Sequence, residues 1–335
     1  MSGVVSRDKD ADEGAARARR LLARVAAADR STLALVGVLV ALVVANTVID
    51  RGFLSLPQLR NTLLVTAPLA LLAGGQTLCM LTGGIDLSVA MTATAAAYVT
   101  GVQSSGGPAM AIGAGLLVGV AVGLVNGLAV GVFRVNPLIM TLGMSGILTG
   151  LLTVGSQTFL SGATRMSDFV LQLGGGTIVG PIPWNLIVWL VLGGALVVGL
   201  RRTGLGRMIY AVGDNRVACR LAGVRVWQVE TTVYVLCALL AAVAGILIGG
   251  RSGSVDLQLA GSYLLPSVAA AVIGGTSILG GIGGYTGTIL GALILAVLDT
   301  MLNLLTVDEA LKQILYGCII LGLAWVYARG VGARD

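Results

Sequence analysis

The sequence predicts an all-α, polytopic membrane protein of about ten transmembrane helices, some broken or kinked, with both termini inside the cell. Three observations predict this. Apolar stretches of about 20 residues, the length a helix needs to cross a hydrocarbon layer of roughly 30 Å, recur from Ser31 nearly to the C terminus. Only 11% of the 335 residues are charged, whereas a soluble domain carries about 25%. Twelve charged residues are already spent in the first 30 positions, leaving too few to cover a water-facing surface.

The elements follow in order. Residues 1–30 read as a polar cytoplasmic tail, with Arg17, Arg19, Arg20 and Arg24 at near-helical spacing. The apolar run after it is long and unpunctuated, unlike a signal peptide with its small-residue cleavage site. The tail therefore leads into an uncleaved span. Residues 31–330 form the membrane domain, with spans near 32–50, 59–82, 86–104, 109–132, 137–157, 184–200, 227–250, 262–280, 283–304 and 310–328. A short cytoplasmic tail, 331–335, closes the chain.

Two longer connections interrupt the spans. Loop 158–183 is moderately apolar, ends in a Gly/Pro cluster and suits a short helix lying at the interface. Loop 201–226 carries six Arg and one Asp, the natural place for a cytoplasmic partner. With the N terminus inside, the inner segments hold 16 Lys and Arg against 5 outside, the asymmetry expected of N-in, C-in topology. The net charge of +6 thus reports topology, and nothing about it calls for nucleic acid.

Composition removes whole classes of chemistry. With no histidine there is no Ser/His/Asp triad, histidine metal site or imidazole relay, and no catalytic residue is expected. Cys79, Cys219, Cys237 and Cys318 are far apart in sequence and lack a C-x-x-C pair; they read as small core fillers, with no metal site expected. Neither lysine, Lys9 or Lys312, completes a phosphate-binding loop. If ATP drives this protein, another subunit hydrolyses it, and ATP and Mg belong to that partner.

Glycine carries the remaining signal. Gly115, Gly119, Gly123, Gly127 and Gly131 recur every four residues, as do Gly283, Gly287 and Gly291; such ridges let a neighbouring backbone approach closely. Paired glycines of a different kind, Gly83-Gly84, Gly274-Gly275 and Gly280-Gly281, lie in TGGIDLS and GGTSILGG. Pairs at membrane depth allow an unwound helix whose freed backbone groups line a cavity or are buried in protein. Asp86, beside the first pair, is read either as a helix cap or as a group on a solute path; its burial demands a partner or nearby water. Asp299 and Glu230 have no sequence-local cation. Uncharged polar residues, among them Gln76, Thr77, Asn126, Asn136, Thr141, Thr276 and Asn303, suit a neutral, hydroxyl-rich solute or act as interhelical glue.

Several of these motifs together resemble one family. TGGIDLSVA (82–90), NGLAVGVFRVNPLIMTLGM (126–144), GRMIYAVGDNRVACRLAGV (206–224), AAVIGGTSILGGIGGYTGTILGALIL (270–295) and LNLL (302–305) are similar to the permease subunits of ribose/xylose/galactose-type ABC importers. The chain departs from that pattern at Asp214, Cys219 and Thr306, where the family more often has Gly, Ala and Gly.

The resemblance implies a second permease copy, giving a homodimer or pseudo-symmetric pair. It also implies a cytoplasmic ATP-binding subunit and a periplasmic or lipid-anchored solute-binding protein. It further implies that Gly206, Arg207, Ala211, Gly213, Asn215, Ala218, Arg220 and Gly223 form the ATPase coupling segment. A short helix from about Asn215 to Leu221, capped by Asn215, would dock there. The expected path residues are Gly83, Gly84, Asp86, Asn126, Asn136, Gly274, Gly275 and Thr276. The chain therefore reads as the permease of an importer for a monosaccharide or related polyol, needing no cofactor of its own. A permease for a nucleoside or other small polar solute is the alternative, followed by an ion-driven carrier and a membrane scaffold.

Overall fold

The structure is a computed structural model describing residues 32–158 and 165–332. The expected tail over 1–30, residues 159–164 of the outer loop and the last three residues lie outside the described residues. The described residues are helical, with only isolated bridges such as Arg165 to Ser254 in place of strands.

Thirteen α-helices follow one another among the described residues. Seven are long and apolar enough to cross a membrane: α1 (Thr32–Ile49), α2 (Leu56–Leu81), α4 (Pro108–Gly131), α5 (Pro137–Gln157), α7 (Trp184–Arg202), α10 (Val226–Ser252) and α12 (Tyr285–Leu304). Proline opens α4 and α5, where its missing N–H costs nothing. Two other expected spans take a different form. The span near 86–104 is α3 (Val89–Val102) and that near 262–280 is α11 (Leu264–Ile273), of 14 and 10 residues. At 1.5 Å per residue they reach only about 21 and 15 Å, because the apolar loops beside them had counted toward their hydropathy. The last expected span, α13 (Glu309–Gly332), runs 24 residues and takes in the start of the expected C-terminal tail.

Three short helices sit between α5 and α10. The outer loop holds α6 (Asp168–Gly175), and loop 201–226 folds into α8 (Gly204–Asp214) and α9 (Arg216–Leu221).

The core is built around α2 and α10. From Thr66 to Leu81 every side chain of α2 is buried, and α10 packs on α2, α3, α4 and α6. Threonine hydroxyls on the buried helix α2 bond back one turn, as Thr66 does to Thr62 O and Thr77 to Ala73 O, so burying these two leaves neither donor unpaired. Between helices, Trp189 Nε1 donates to Tyr285 Oη at 2.9 Å, Tyr285 Oη donates to Ala70 O at 3.0 Å, and Thr77 and Thr288 share a 2.7 Å bond. These contacts tie α2, α7 and α12 together. Thr306, which stands where the resembling family usually has Gly, sits at φ 55°, a left-handed conformation that strains a β-branched residue.

Candidate functional site

The helix caps of loop 201–226 place its side chains. Thr203 Oγ1 accepts from Gly206 N at 3.1 Å and starts α8. Asn215 Oδ1 accepts from Val217 N at 3.0 Å and Ala218 N at 2.9 Å and starts α9, an N-cap worth about 1 kcal/mol. Gly223 ends the segment at φ 82°, a turn that an L side chain resists. Arg207, Ala211, Ala218 and Arg220 are exposed, whereas Gly206 and Gly213 face inward.

At Gly213 this segment meets both glycine-rich breaks. A Cβ there would collide with Leu81 O at the end of α2 and lie 2.6 Å from Gly281 N. Those same two groups bond to each other, Gly281 N donating to Leu81 O at 3.0 Å. Arg216 of α9 donates to Thr82 O at 2.7 Å and pairs with the buried Glu230 of α10 at 3.0 Å. Tyr210 donates to Gly283 O at 2.9 Å; burial pushes its hydroxyl pKa up against the opposing pull of Arg201, so it stays a donor. The surface helices α8 and α9 are thus bonded to the break between α2 and α3 and to the break between α11 and α12.

The paired glycines make those breaks possible. Gly83, Gly275, Gly280 and Gly281 all have positive φ, between 71° and 98°, which only glycine adopts freely. The freed amides are re-bonded locally: Gly83 N to Met80 O, Gly275 N to Val272 O and Ser277 N to Ile282 O. Gly274 presses on Gly287 of α12, so it joins the packing ridge as well as the break. Gly274 and Gly275 border a cavity of about 400 Å³ shared with Arg201 and Tyr210. Thr276 is fully buried and its hydroxyl has no partner among the described residues.

Asp86 is 1% exposed and held from every side. Its Oδ1 accepts from Ser88 N and Oγ at 2.8 and 2.6 Å, Cys237 Sγ donates to Oδ2 at 3.7 Å, and the Gln76 amide bridges its backbone. Asp86 closes the turn that enters α3, while Ser88 occupies the N-cap position. The carboxylate is buried in protein. Asn126 donates to Ser88 Oγ at 2.9 Å. With Gln76, Thr77 and Thr141, it serves as interhelical glue. Asn136 stands apart, exposed, capping α5 by accepting from Leu138 N at 2.9 Å and lining a separate cavity of about 720 Å³ with Arg216 and Arg220.

Sequence separation had hidden three contacts. Glu230 finds Arg216, and Asp299 finds Lys312 at 3.2 Å, each from another helix. Cys79, Asp86 and Cys237 place their ligand atoms within 4.8 Å of one another, all buried. That donor set suits a soft cation in composition, yet both Asp86 oxygens already accept hydrogen bonds. The signal for Tyr210 lay in the GRMIYAVGDN run, and for Gly281 in its glycine pair; no local pattern marked Glu230.

A bundle of long apolar helices, with two helices broken at glycine pairs and both breaks bonded to one surface segment, defines a multi-pass membrane permease. Residues 58–324 match the profile of the family described as branched-chain amino acid transport system / permease component. The chain is 36% identical over 297 residues to the ribose import permease protein RbsC of Escherichia coli K12, covering 86% of this chain and 90% of that one. It is also 36% identical over 283 residues to RbsC of Bacillus subtilis, covering 84% and 87%. With the autoinducer 2 import system permease protein LsrC of Yersinia enterocolitica it shares 32% over 283 residues, covering 82% and 76%. No solved structure matches. The chain belongs to this permease family, and it is a permease subunit of an ABC importer.

Proposed function

We propose that this subunit imports a monosaccharide or related polyol, delivered by a solute-binding protein and driven by a separate ATP-binding subunit. In this reading it crosses the bilayer about ten times, α3 and α11 serving as partial spans, with N-in and C-in topology and a second permease copy completing the path. The single observation that carries it is Gly213. There the α8–α9 segment is locked against the Leu81–Gly281 hydrogen bond, so a force on α8 and α9 reaches both breaks at once. Closure of the ATPase on the exposed Arg207, Ala211, Ala218 and Arg220 would tilt α2 and α12 together and switch the solute path between the two membrane faces. The resemblance to ribose permeases supports the solute class, as does a membrane interior with few charges.

The test is uptake of labelled monosaccharides into proteoliposomes holding the permease, its ATPase and its binding protein. ATP-dependent uptake is expected. Gly213→Val is expected to abolish it and to lower binding-protein stimulation of ATP hydrolysis at least ten-fold, the loss of more than about 1.4 kcal/mol of coupling. Uptake by the permease alone on an ion gradient would overturn the reading.

A further inference from the structure

The end of the bundle opposite α8 and α9 holds a second polar centre. The last turn of α10, the approach to α11, the end of α12 and the start of α13 enclose a cavity of about 320 Å³. Lys312 is only 4% exposed there. Its Nζ donates to Asn303 Oδ1 at 2.6 Å and pairs with Asp299 at 3.2 Å and Glu309 at 3.3 Å. Asn303 Nδ2 in turn donates to Asp299 Oδ2 at 3.0 Å, and Tyr316 reaches Asp299 Oδ1 at 3.4 Å. Apolar side chains would fill this space at lower cost than a buried lysine, which stability alone does not call for.

We infer that this cavity binds a neutral polyhydroxylated solute, a monosaccharide or cyclic polyol, on the face opposite the coupling segment. The inference rests on the transport reading above and names where the solute first meets the permease. Size comes first. The volume lies at the lower end of the range of small-molecule sites, which runs from about 300 Å³ upward, and equals roughly ten waters, room for one sugar ring. Chemistry comes second. A carboxylate, an amide and an ammonium fixed against one another present donors and acceptors together, the pattern that vicinal hydroxyls match. The rings of Tyr263 and Tyr316 supply apolar faces for the C–H side of a sugar. Charge comes third. Asp299 and Glu309 are balanced by Lys312 and Arg251, all bordering the cavity, so the site favours a neutral guest over an ion. Its polar groups are bonded to each other without a guest, so a solute exchanges hydrogen bonds instead of gaining them. Binding is therefore weak, which suits a site that must release.

The full chain in lipid nanodiscs tests this, by saturation-transfer-difference NMR with D-ribose and myo-inositol under irradiation of aromatic protons. Transfer to the sugar C–H protons is expected in the wild type. Ser262→Trp fills the cavity from an exposed position and is expected to reduce transfer at least five-fold. Asn303→Ala is expected to weaken apparent affinity about five-fold, one hydrogen bond's worth. Circular dichroism and a single elution peak verify the fold of each variant. No transfer in the wild type, or equal transfer with Ser262→Trp, overturns the inference. The uptake assay reads the transport proposal separately: uptake without cavity binding removes the site and leaves the permease, while cavity binding without ATP-driven uptake keeps the site and removes the transport reading.

Discussion

Two glycine stripes on neighbouring helices have opposite surroundings. On α4, Gly119, Gly123 and Gly127 face the backbone of α10: a Cβ at Gly123 would lie 2.6 Å from Val235 Cα and 2.8 Å from Tyr234 O, and one at Gly127 would lie 2.7 Å from Thr231 Cα. Thr231 Oγ1 donates to Gly127 O at 3.1 Å across that seam. On α5, Gly143, Gly146 and Gly150 share a face, and a Cβ at any of them would meet nothing within 4 Å among the described residues. Identical residue types at helical spacing thus do different work. In lipid, apolar side chains gain nothing by meeting one another, so a close backbone approach is what glycine contributes. Of these two stripes, only that on α4 realises that contribution among the described residues.

Substitutions break or sharpen the contrast. Gly123→Leu drives a bulky side chain into the backbone of α10 and is expected to cost at least about 3 kcal/mol, read as loss of folded protein in a detergent thermal-unfolding assay. Gly127→Ala is milder, about 1–3 kcal/mol, since one methyl against Thr231 is relieved by a small helix shift. Thr306→Gly runs the other way. Removing the side chain at φ 55° is expected to stabilise the protein by about 1 kcal/mol, raising the unfolding midpoint. Gly146→Ala is expected to change the stability of the isolated chain by no more than about 0.5 kcal/mol, measured in the same assay; a loss as large as that at Gly127 would erase the distinction between the stripes.

Much of the architecture was legible because membrane spans are read one at a time. Hydropathy located the segments that become the seven long helices, and the family resemblance placed a short helix capped by Asn215 where α9 begins. Windows could not separate a crossing helix from a short helix with an apolar loop beside it, so α3 and α11 emerged shorter than expected. The segment holding α8 and α9 was legible as a charge-rich loop; its grip on Leu81, Thr82 and Gly281 was not. Those contacts use backbone carbonyls and amides, which every residue carries and no sequence pattern marks.

The sequence by itself determined a helical membrane protein, its family and the glycines that let helices break. Composition and periodicity are local properties, and the bilayer converts them directly into spans. Tertiary structure alone decided which glycine ridge is filled and that Gly213 touches both breaks. It also brought Arg216 to Glu230 and Lys312 to Asp299, because those pairings join residues that only the packing of separate helices brings within a few ångströms.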